Sequence, residues 1–307
     1  MSRLFADALI NAVGEDKLLF DEPLAHHTTF RTGGPAAYYA MPSSAVEIAD
    51  LIKVCRDHGT GYYILGNGSN VLASDDGYDG LVIEIGRNMS EIRVEDDIIY
   101  AQAGAMLSAA AAAAAAASLA GLEFASGIPG SVGGAVFMNA GAYGGEIKDV
   151  LKTADVLTSD GRVITLEADE LDLSYRHSCV EEKGYTVISA AFAGRRGDKE
   201  EIMALMKDLN GRRRDKQPLE YPSAGSTFKR PEGHYAGALI EECGLKGASV
   251  GGAQVSTKHA GFVINTGGAT SADIIGLISH IKDTVYRETG VMLEPEVRML
   301  GFGGAEI

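Results

Sequence analysis

Basic residues are in short supply in this chain: 27 lysines and arginines stand against 42 acidic residues among 307, a net charge of -15. That balance repels nucleic acid and anionic membrane alike, so a small molecule is the expected partner, with no nucleic acid and no membrane. Cysteine is scarcer still. Cys55, Cys179 and Cys243 stand far apart, with no CxxC pair and no even-numbered framework, which excludes a disulfide scaffold and fits reduced thiols in a cytoplasm. No His, Cys and carboxylate spacing suggests a metal, and His26-His27 reads as loop. There is no G-x-G-x-x-G and no GK[ST], so neither a Rossmann fingerprint nor a P-loop is available, and no G-x-S-x-G elbow offers a hydrolase nucleophile. Only 103–120 approaches membrane length, and its alanines insert poorly compared with Leu or Ile. The opening Met1-Ser2-Arg3-Leu4-Phe5-Ala6-Asp7 breaks its apolar character at Asp7, so no signal peptide is expected.

What is present is glycine in two special places. Gly66-Asn67-Gly68-Ser69-Asn70 follows the apolar run Tyr62-Tyr63-Ile64-Leu65, and Ser126-Gly127-Ile128-Pro129-Gly130-Ser131-Val132-Gly133-Gly134 forms a second such loop. A backbone bare of Cβ atoms approaches an anion closely and points successive N–H groups at it, while Ser and Asn add neutral donors. Each loop alone also reads as an ordinary turn. Together they point to a diphosphate cofactor held without lysine.

At 307 residues, two or three subdomains are expected. Ser44-Ala45-Val46-Glu47 is a capping box, after which Ile48, Leu51, Ile52 and Cys55 recur at helical spacing until Gly59. This helix lies between strand-like runs at 37–41 and 62–65, with a further strand at 81–85. Short strands follow at 92–94 and 98–102, then nine alanines at 109–117, which predict a helix. Strands at 150–158 and 162–166 flank the hairpin signal Ser159-Asp160-Gly161, and 185–192 adds another. Asp198 with Glu201 opens a helix whose Ile202, Leu205, Met206 and Leu209 share one face and which ends in Arg212-Arg213-Arg214-Asp215-Lys216. The last third holds a helix at 235–243, strands near 250–255 and 261–265, and a helix over 271–289 lined by Ile274, Ile278, Ile281 and Val285.

Four segments carry candidate chemistry, each with a plain structural reading beside it. Arg176, in Leu173-Ser174-Tyr175-Arg176-His177-Ser178, either pairs with Asp172 or grips a carboxylate with its guanidinium fork. Ser226, in Ser223-Ala224-Gly225-Ser226-Thr227-Phe228-Lys229, either serves a seryl turn or delivers a proton. Over 291–299, alternation puts Leu293, Pro295, Val297 and Met299 on one face and Glu294, Glu296 and Arg298 on the other: a solvated strand face, or a cleft wall carrying a carboxylate beside a guanidinium. The basic cluster Arg212 to Arg214, with Lys216, Lys229, Arg230, Lys246, Lys258 and His259, either complements a helix end or forms a positive site for a nucleotide diphosphate.

Taken in order, these segments, with Thr28-Thr29-Phe30-Arg31-Thr32-Gly33-Gly34 and Asn139-Ala140-Gly141-Ala142-Tyr143-Gly144, resemble the UDP-N-acetylenolpyruvoylglucosamine reductase family over nearly the whole chain. The resemblance implies an α+β fold of three subdomains: 1–86 and 87–214, forming a FAD-binding unit of the vanillyl-alcohol-oxidase (PCMH) type, and 215–307, binding substrate. It implies FAD and NADPH as cofactors, a UDP-sugar enolpyruvate as substrate, a cytoplasmic location, and a monomer or weak homo-oligomer. Carried over residue by residue, Arg176 matches the family's catalytic arginine, Ser226 its proton donor and Glu296 its catalytic carboxylate. FAD contacts are implied at Arg31, Gly66, Asn67, Gly68, Ser69, Asn70, Gly127, Ile128, Pro129, Ser131, Gly133 and Ala135, and substrate contacts at Tyr175, Lys229, His259 and Arg298. The short interval between Arg176 and Ser226 leaves no room for the tyrosine-bearing insertion of one branch, so the chain resembles the loop-lacking branch. Two rival classes remain at this stage: a FAD-dependent oxidase or dehydrogenase of an alcohol or hydroxy acid, and a non-catalytic nucleotide-binding module.

Overall fold

The computed structural model describes residues 3–303. Seven helices lie among them: α1 (Arg3–Val13), α2 (Ala45–His58), α3 (Leu107–Ala116), α4 (Val132–Phe137), α5 (Lys199–Lys216), α6 (Ala236–Glu242) and α7 (Ser271–Thr289). The chain divides into two compact units, each assembled from separated segments. The first comprises the described residues up to Leu19, Tyr38–Asn67 and Gly80–Arg213; the second comprises Phe20–Ala37, Gly68–Asp79 and the described residues from Arg214 onward.

In the first unit, α2 forms where its cap and periodicity predict. Ser44 Oγ accepts the Glu47 N–H at 3.2 Å. The reciprocal bond, however, shifts one residue upstream: the Glu47 carboxylate accepts from the Ser43 N–H at 2.7 Å and pairs with Lys17 at 2.7 Å. Burial alone would raise the Glu47 pKa, but the hydrogen bonds from Lys17 and Ser43 outweigh it and hold the carboxyl below its ordinary value. Ile48, Leu51, Ile52 and Cys55 face the core, and Gly59 closes the helix in the left-handed region at φ 64°. Burial pushes the Cys55 thiol up to about 12, so this cysteine packs and does not react. The alanine run becomes α3, with Ala110, Ala111, Ala114 and Ala115 buried along one side. An antiparallel sheet runs in the order Val163–Glu167, Leu151–Leu157, Thr186–Ala193, Ile98–Gln102, Ile92–Glu95. Tyr62–Leu65 pairs in parallel with Leu81 to Glu84, which delivers the first glycine loop at a strand's carboxyl end.

In the second unit, α7 carries a reciprocal cap: Thr270 Oγ1 accepts the Asp273 N–H at 3.0 Å, and the Thr270 N–H donates to the Asp273 carboxylate at 3.0 Å. Backbone N–H groups of Thr270 and Gly252 hold the Asp273 pKa below its ordinary value. Ile274, Ile278, Ile281 and Val285 are fully buried and pack in one core with Phe30, Leu72, Phe228, Leu293 and Val297. Val71–Ala73 pairs in parallel with Arg298–Leu300, so the end of the described chain is a strand partner of an early segment.

Three sequence expectations give way. The strand expected near 250–255 is a hairpin, Ser249–Val250 against Ala253–Val255, turned at Gly251 with φ 51°. On α5, Asp198 does cap the first turn, accepting from Glu200 and Glu201 at 2.9 and 3.0 Å. The buried line, however, runs only through Ile202 and Leu209, seven residues apart, so Leu205, beside that narrow line, is 46 % exposed. Over 291–299 there is no continuous strand: pairing is confined to the strand that begins at Arg298 and an isolated bridge from Pro295 to Phe228, where Pro295 takes a position that needs no N–H. Leu293 and Val297 still point into the core.

Candidate functional site

Ser226 and Glu296 lie on two segments of the second unit that bond to each other. Ser226 is exposed, whereas Thr227 is fully buried. The Thr227 carbonyl accepts the Glu296 N–H at 2.8 Å, its N–H donates to the Gly261 carbonyl at 2.9 Å, and its hydroxyl accepts the Val263 N–H at 2.9 Å. On the far side, Asn70 Nδ2 donates to the Glu296 carbonyl at 3.0 Å and the Asn70 carbonyl accepts the Arg298 N–H at 2.9 Å. An alcohol and a carboxylate are thus carried on neighbouring, cross-linked backbone, with Arg298 two residues beyond.

The implied substrate contacts of this unit take different forms. Lys229 pairs with Glu294 at 3.2 Å, and its N–H donates to the Glu294 carbonyl at 2.8 Å. His259 is half-buried with its ring 5.0 Å from Phe262, edge-on. Its Nδ1 accepts the Gly261 N–H at 3.1 Å, which leaves Nε2 as the protonated nitrogen of a neutral ring. Burial lowers its pKa, with Lys246 and Lys216 pushing the same way and Glu241 opposing. Arg31 is exposed, at a left-handed φ of 57° that follows from the tight turn in which its N–H bonds the Thr28 carbonyl at 3.1 Å.

In the first unit the two glycine loops touch. Asn67 Nδ2 donates to the Pro129 carbonyl at 2.5 Å, and a Cβ on Gly66 would collide with Ser131 Oγ. Ser131 caps α4, accepting the Gly134 N–H at 3.3 Å, while Gly133 lies so close to Ala103 that a Cβ would come within 2.9 Å of it. Gly127 abuts Asn210 and Arg213: an added Cβ would stand 2.6 Å from Asn210 Oδ1 and 3.1 Å from Arg213 Cδ. Ile128 continues this loop, and Ala135 is buried on α4. In the second unit, Gly68 is left-handed at φ 59° with no room for a Cβ beside the His27 carbonyl, and Ser69 follows half-buried.

Arg213 singles itself out from the basic cluster. Arg212 pairs with Asp208 at 2.7 Å in the open, but half-buried Arg213 makes no ion pair among the described residues. Burial lowers its pKa, opposed by Tyr143. A desolvated guanidinium without a carboxylate beside a glycine loop suits an anionic ligand. The Arg213 position fits a nucleotide cofactor better than a closed structural core, in which such groups are paired. In the second unit, buried Thr32 Oγ1 and Gln217 Oε1 have no hydrogen-bond partner among the described residues.

Arg176 sits in a four-residue turn closed by Ser174 and His177, each donating its N–H to the other's carbonyl at 3.2 Å. Asp172 is engaged by His177 at 3.3 Å, and the Arg176 guanidinium lies 5.0 Å over the Tyr175 ring, itself 52 % exposed. The turn hangs on Asn139, fully buried, whose Nδ2 donates to the Ser174 carbonyl at 3.0 Å and to Glu146 at 2.6 Å and whose Oδ1 accepts the Lys148 N–H at 2.9 Å. Sequence reasoning gave no role to Asn139 or Thr227 and did not separate Arg213 from its neighbours. Their only signal was residence inside the recognisable motifs.

No helix among the described residues is long and apolar enough to cross a membrane, and these residues contain no group of three or more His, Cys, Asp or Glu suited to a metal.

Known proteins supply the context for this geometry. The family model of a FAD binding domain matches residues 36–167, and that of the UDP-N-acetylenolpyruvoylglucosamine reductase C-terminal domain matches 217–300. A UDP-N-acetylenolpyruvoylglucosamine reductase of Agathobacter rectalis is 55% identical over 98% of this chain and 99% of its own length; one from Lachnoclostridium phytofermentans is 49% identical over 98% of each. Among solved structures, the UDP-N-acetylenolpyruvylglucosamine reductase of Thermus caldophilus superposes with a TM-score of 0.79 at 34% identity, covering 92% of this chain and 98% of that one. A grass pollen allergen with glucose dehydrogenase activity shares the fold alone, with a TM-score of 0.50 at 13% identity over 64% of this chain and 44% of that one. The fold is thus α+β, a FAD-binding unit of the PCMH type joined to a C-terminal substrate domain, and with relatives this similar along its full length the chain belongs to the UDP-N-acetylenolpyruvoylglucosamine reductase family.

Proposed function

We propose that the chain is an NADPH-dependent flavoenzyme that reduces the enolpyruvyl group of UDP-N-acetylglucosamine enolpyruvate to give UDP-N-acetylmuramate for peptidoglycan. The observation that carries this reading is the cross-linked pair of segments presenting Ser226 and Glu296, in a chain whose relatives bear that reaction in their name. FAD, when bound, supplies hydride chemistry between NADPH and the terminal methylene carbon. Arg176, with its planar fork, and Glu296 bind and polarise the substrate carboxylate, where charge develops. Ser226 delivers the proton to the carbon next to that carboxylate, a demanding task for an alcohol that its fixed backbone makes feasible. The implied FAD contacts, from Arg31 through the two glycine loops to Ala135, hold the cofactor, and Arg213 adds the positive charge that the loops lack. Tyr175, Lys229, His259 and Arg298 receive the sugar nucleotide.

The same reading assigns 1–86 and 87–214 to the cofactor and 215–307 to the substrate, in a cytoplasmic enzyme that is a monomer or weak homo-oligomer of the branch without the tyrosine loop. Mixing FAD-loaded protein with NADPH should bleach the flavin absorbance, and adding the enolpyruvyl substrate should restore it. Ser226→Ala should keep the bleaching and slow the recovery at least about a hundredfold. Recovery at the parent rate in that variant would remove Ser226 from the mechanism.

A further inference from the structure

Glu296 is held in an unusual way for a residue outside regular secondary structure. Its N–H and its carbonyl are both occupied, by two segments distant in sequence: Thr227 accepts the one at 2.8 Å and Asn70 Nδ2 donates to the other at 3.0 Å. Asn70 also accepts the Arg298 N–H at 2.9 Å, so a single asparagine spans the backbone on both sides of Val297. The parallel ladder of Val71–Ala73 with Arg298–Leu300 ends here, and the Asn70 side chain continues it by one rung toward the catalytic carboxylate. Thr227 is anchored in turn: its N–H and hydroxyl bond Gly261 and Val263, so the residue next to Ser226 has no freedom to slide.

We propose that Asn70 and Thr227 are positioning residues that clamp the main chain of Glu296 from both sides and so fix the register of its carboxylate against the Ser226 hydroxyl. This rests on the function proposed above, and it gives Asn70, which the family resemblance places among FAD contacts, a second task carried by its amide nitrogen. Backbone around an acid and a proton donor that shift by a fraction of an ångström loses rate in the step both serve, while a step that uses neither is spared.

The test separates the two half-reactions by stopped flow at saturating FAD. Asn70→Asp keeps the side chain's size but puts an oxygen against the Glu296 carbonyl; Thr227→Val deletes the hydroxyl that Val263 needs; Thr227→Ser restores it. Flavin reduction by NADPH should stay within about twofold of the parent in both Thr227 variants, while reoxidation by the enolpyruvyl substrate should slow at least about tenfold in Thr227→Val and recover to within about threefold in Thr227→Ser. Asn70→Asp is read by hydrogen exchange, which should quicken across 293–300. Equal slowing of both half-reactions in Thr227→Val, or unchanged reoxidation there, would overturn the clamp. If Thr227→Val does not fold, exchange across 293–300 in Asn70→Asp decides alone. Should the parent itself fail to reoxidise with this substrate, the proposed function falls, and exchange across 293–300 still judges the clamp: protection in Asn70→Asp equal to the parent's would refute it.

Discussion

Glu296 and Arg176, each within its own unit, show two ways of presenting a side chain to which the proposed function gives a role. Glu296 rides on backbone bonded from both sides and backed by Leu293 and Val297 in a core. Arg176 occupies a turn at a left-handed φ of 56°, a conformation that costs a residue with a Cβ about 1 kcal/mol or more, and the turn is tethered from within by one buried asparagine. The carboxylate is therefore placed by hydrogen bonds from segments distant in sequence, the guanidinium by a left-handed turn that its own Ser174–His177 bonds close and Asn139 tethers. Rigidity at the first site depends on the core, and at the second on these local bonds.

The largest expected effect probes the core under the carboxylate. Ile278→Ala, at a fully buried position of α7, should destabilise the protein by about 2–5 kcal/mol in denaturant unfolding, through lost contacts and the cavity left behind. A cost below that of a surface substitution would mean that the second unit's core does not set its stability. Arg176→Gly removes the functional group and the strain together, so turnover should drop at least about a hundredfold while thermal stability holds or rises slightly. A clear loss of stability would contradict the strained-turn account. Asn139→Ala strips partners from the Ser174 carbonyl and the Lys148 N–H and should cost about 1–3 kcal/mol, with substrate KM rising more than NADPH KM. A smaller effect concerns pH. Because burial depresses the His259 pKa, the folded state favours the neutral ring; the unfolded chain takes up its proton first as pH falls below about 6.5, so this contribution is complete above that value and is lost as the pH drops toward the depressed pKa. His259→Gln should flatten the fall in Tm across that acid range, and an unaltered slope would assign it to other groups. Smallest of all, Leu205→Gln on the exposed side of α5 should change unfolding free energy by no more than about 0.5 kcal/mol.

The sequence was most readable where local chemistry decides the outcome. Ser44 and Gly59 bracket α2, and Ile274, Ile278, Ile281 and Val285 mark the buried line of α7, because caps and a 3.6-residue period are written in consecutive residues. Leu205 shows where that stops: periodicity names a face but not how much of it a neighbour covers. The alternation over 291–299 misled for a related reason, since a side-chain pattern persists where backbone pairing shrinks to a single bridge. At the site, motifs flagged the glycine loops and the segments holding Arg176, Ser226 and Glu296, whereas Asn139, Thr227 and Arg213 owe their significance to partners or missing partners far along the chain. The interleaving of the two units was illegible for the same reason: no short-range signal tells Phe20–Ala37 to join residues beyond 213.

The pairing of Val71–Ala73 with Arg298–Leu300 bears on how the enzyme is made. A growing chain exposes 71–73 long before its partner exists, and Glu296 can be brought to that partner only once all the intervening chain has been made. The second unit must therefore remain open until then, its segments Phe20–Ala37 and Gly68–Asp79 awaiting a closing pairing that has a large loop-closure entropy to overcome. Nascent chains halted before residue 296 should lack the carboxylate altogether, and reductase chemistry should appear only once that pairing has formed.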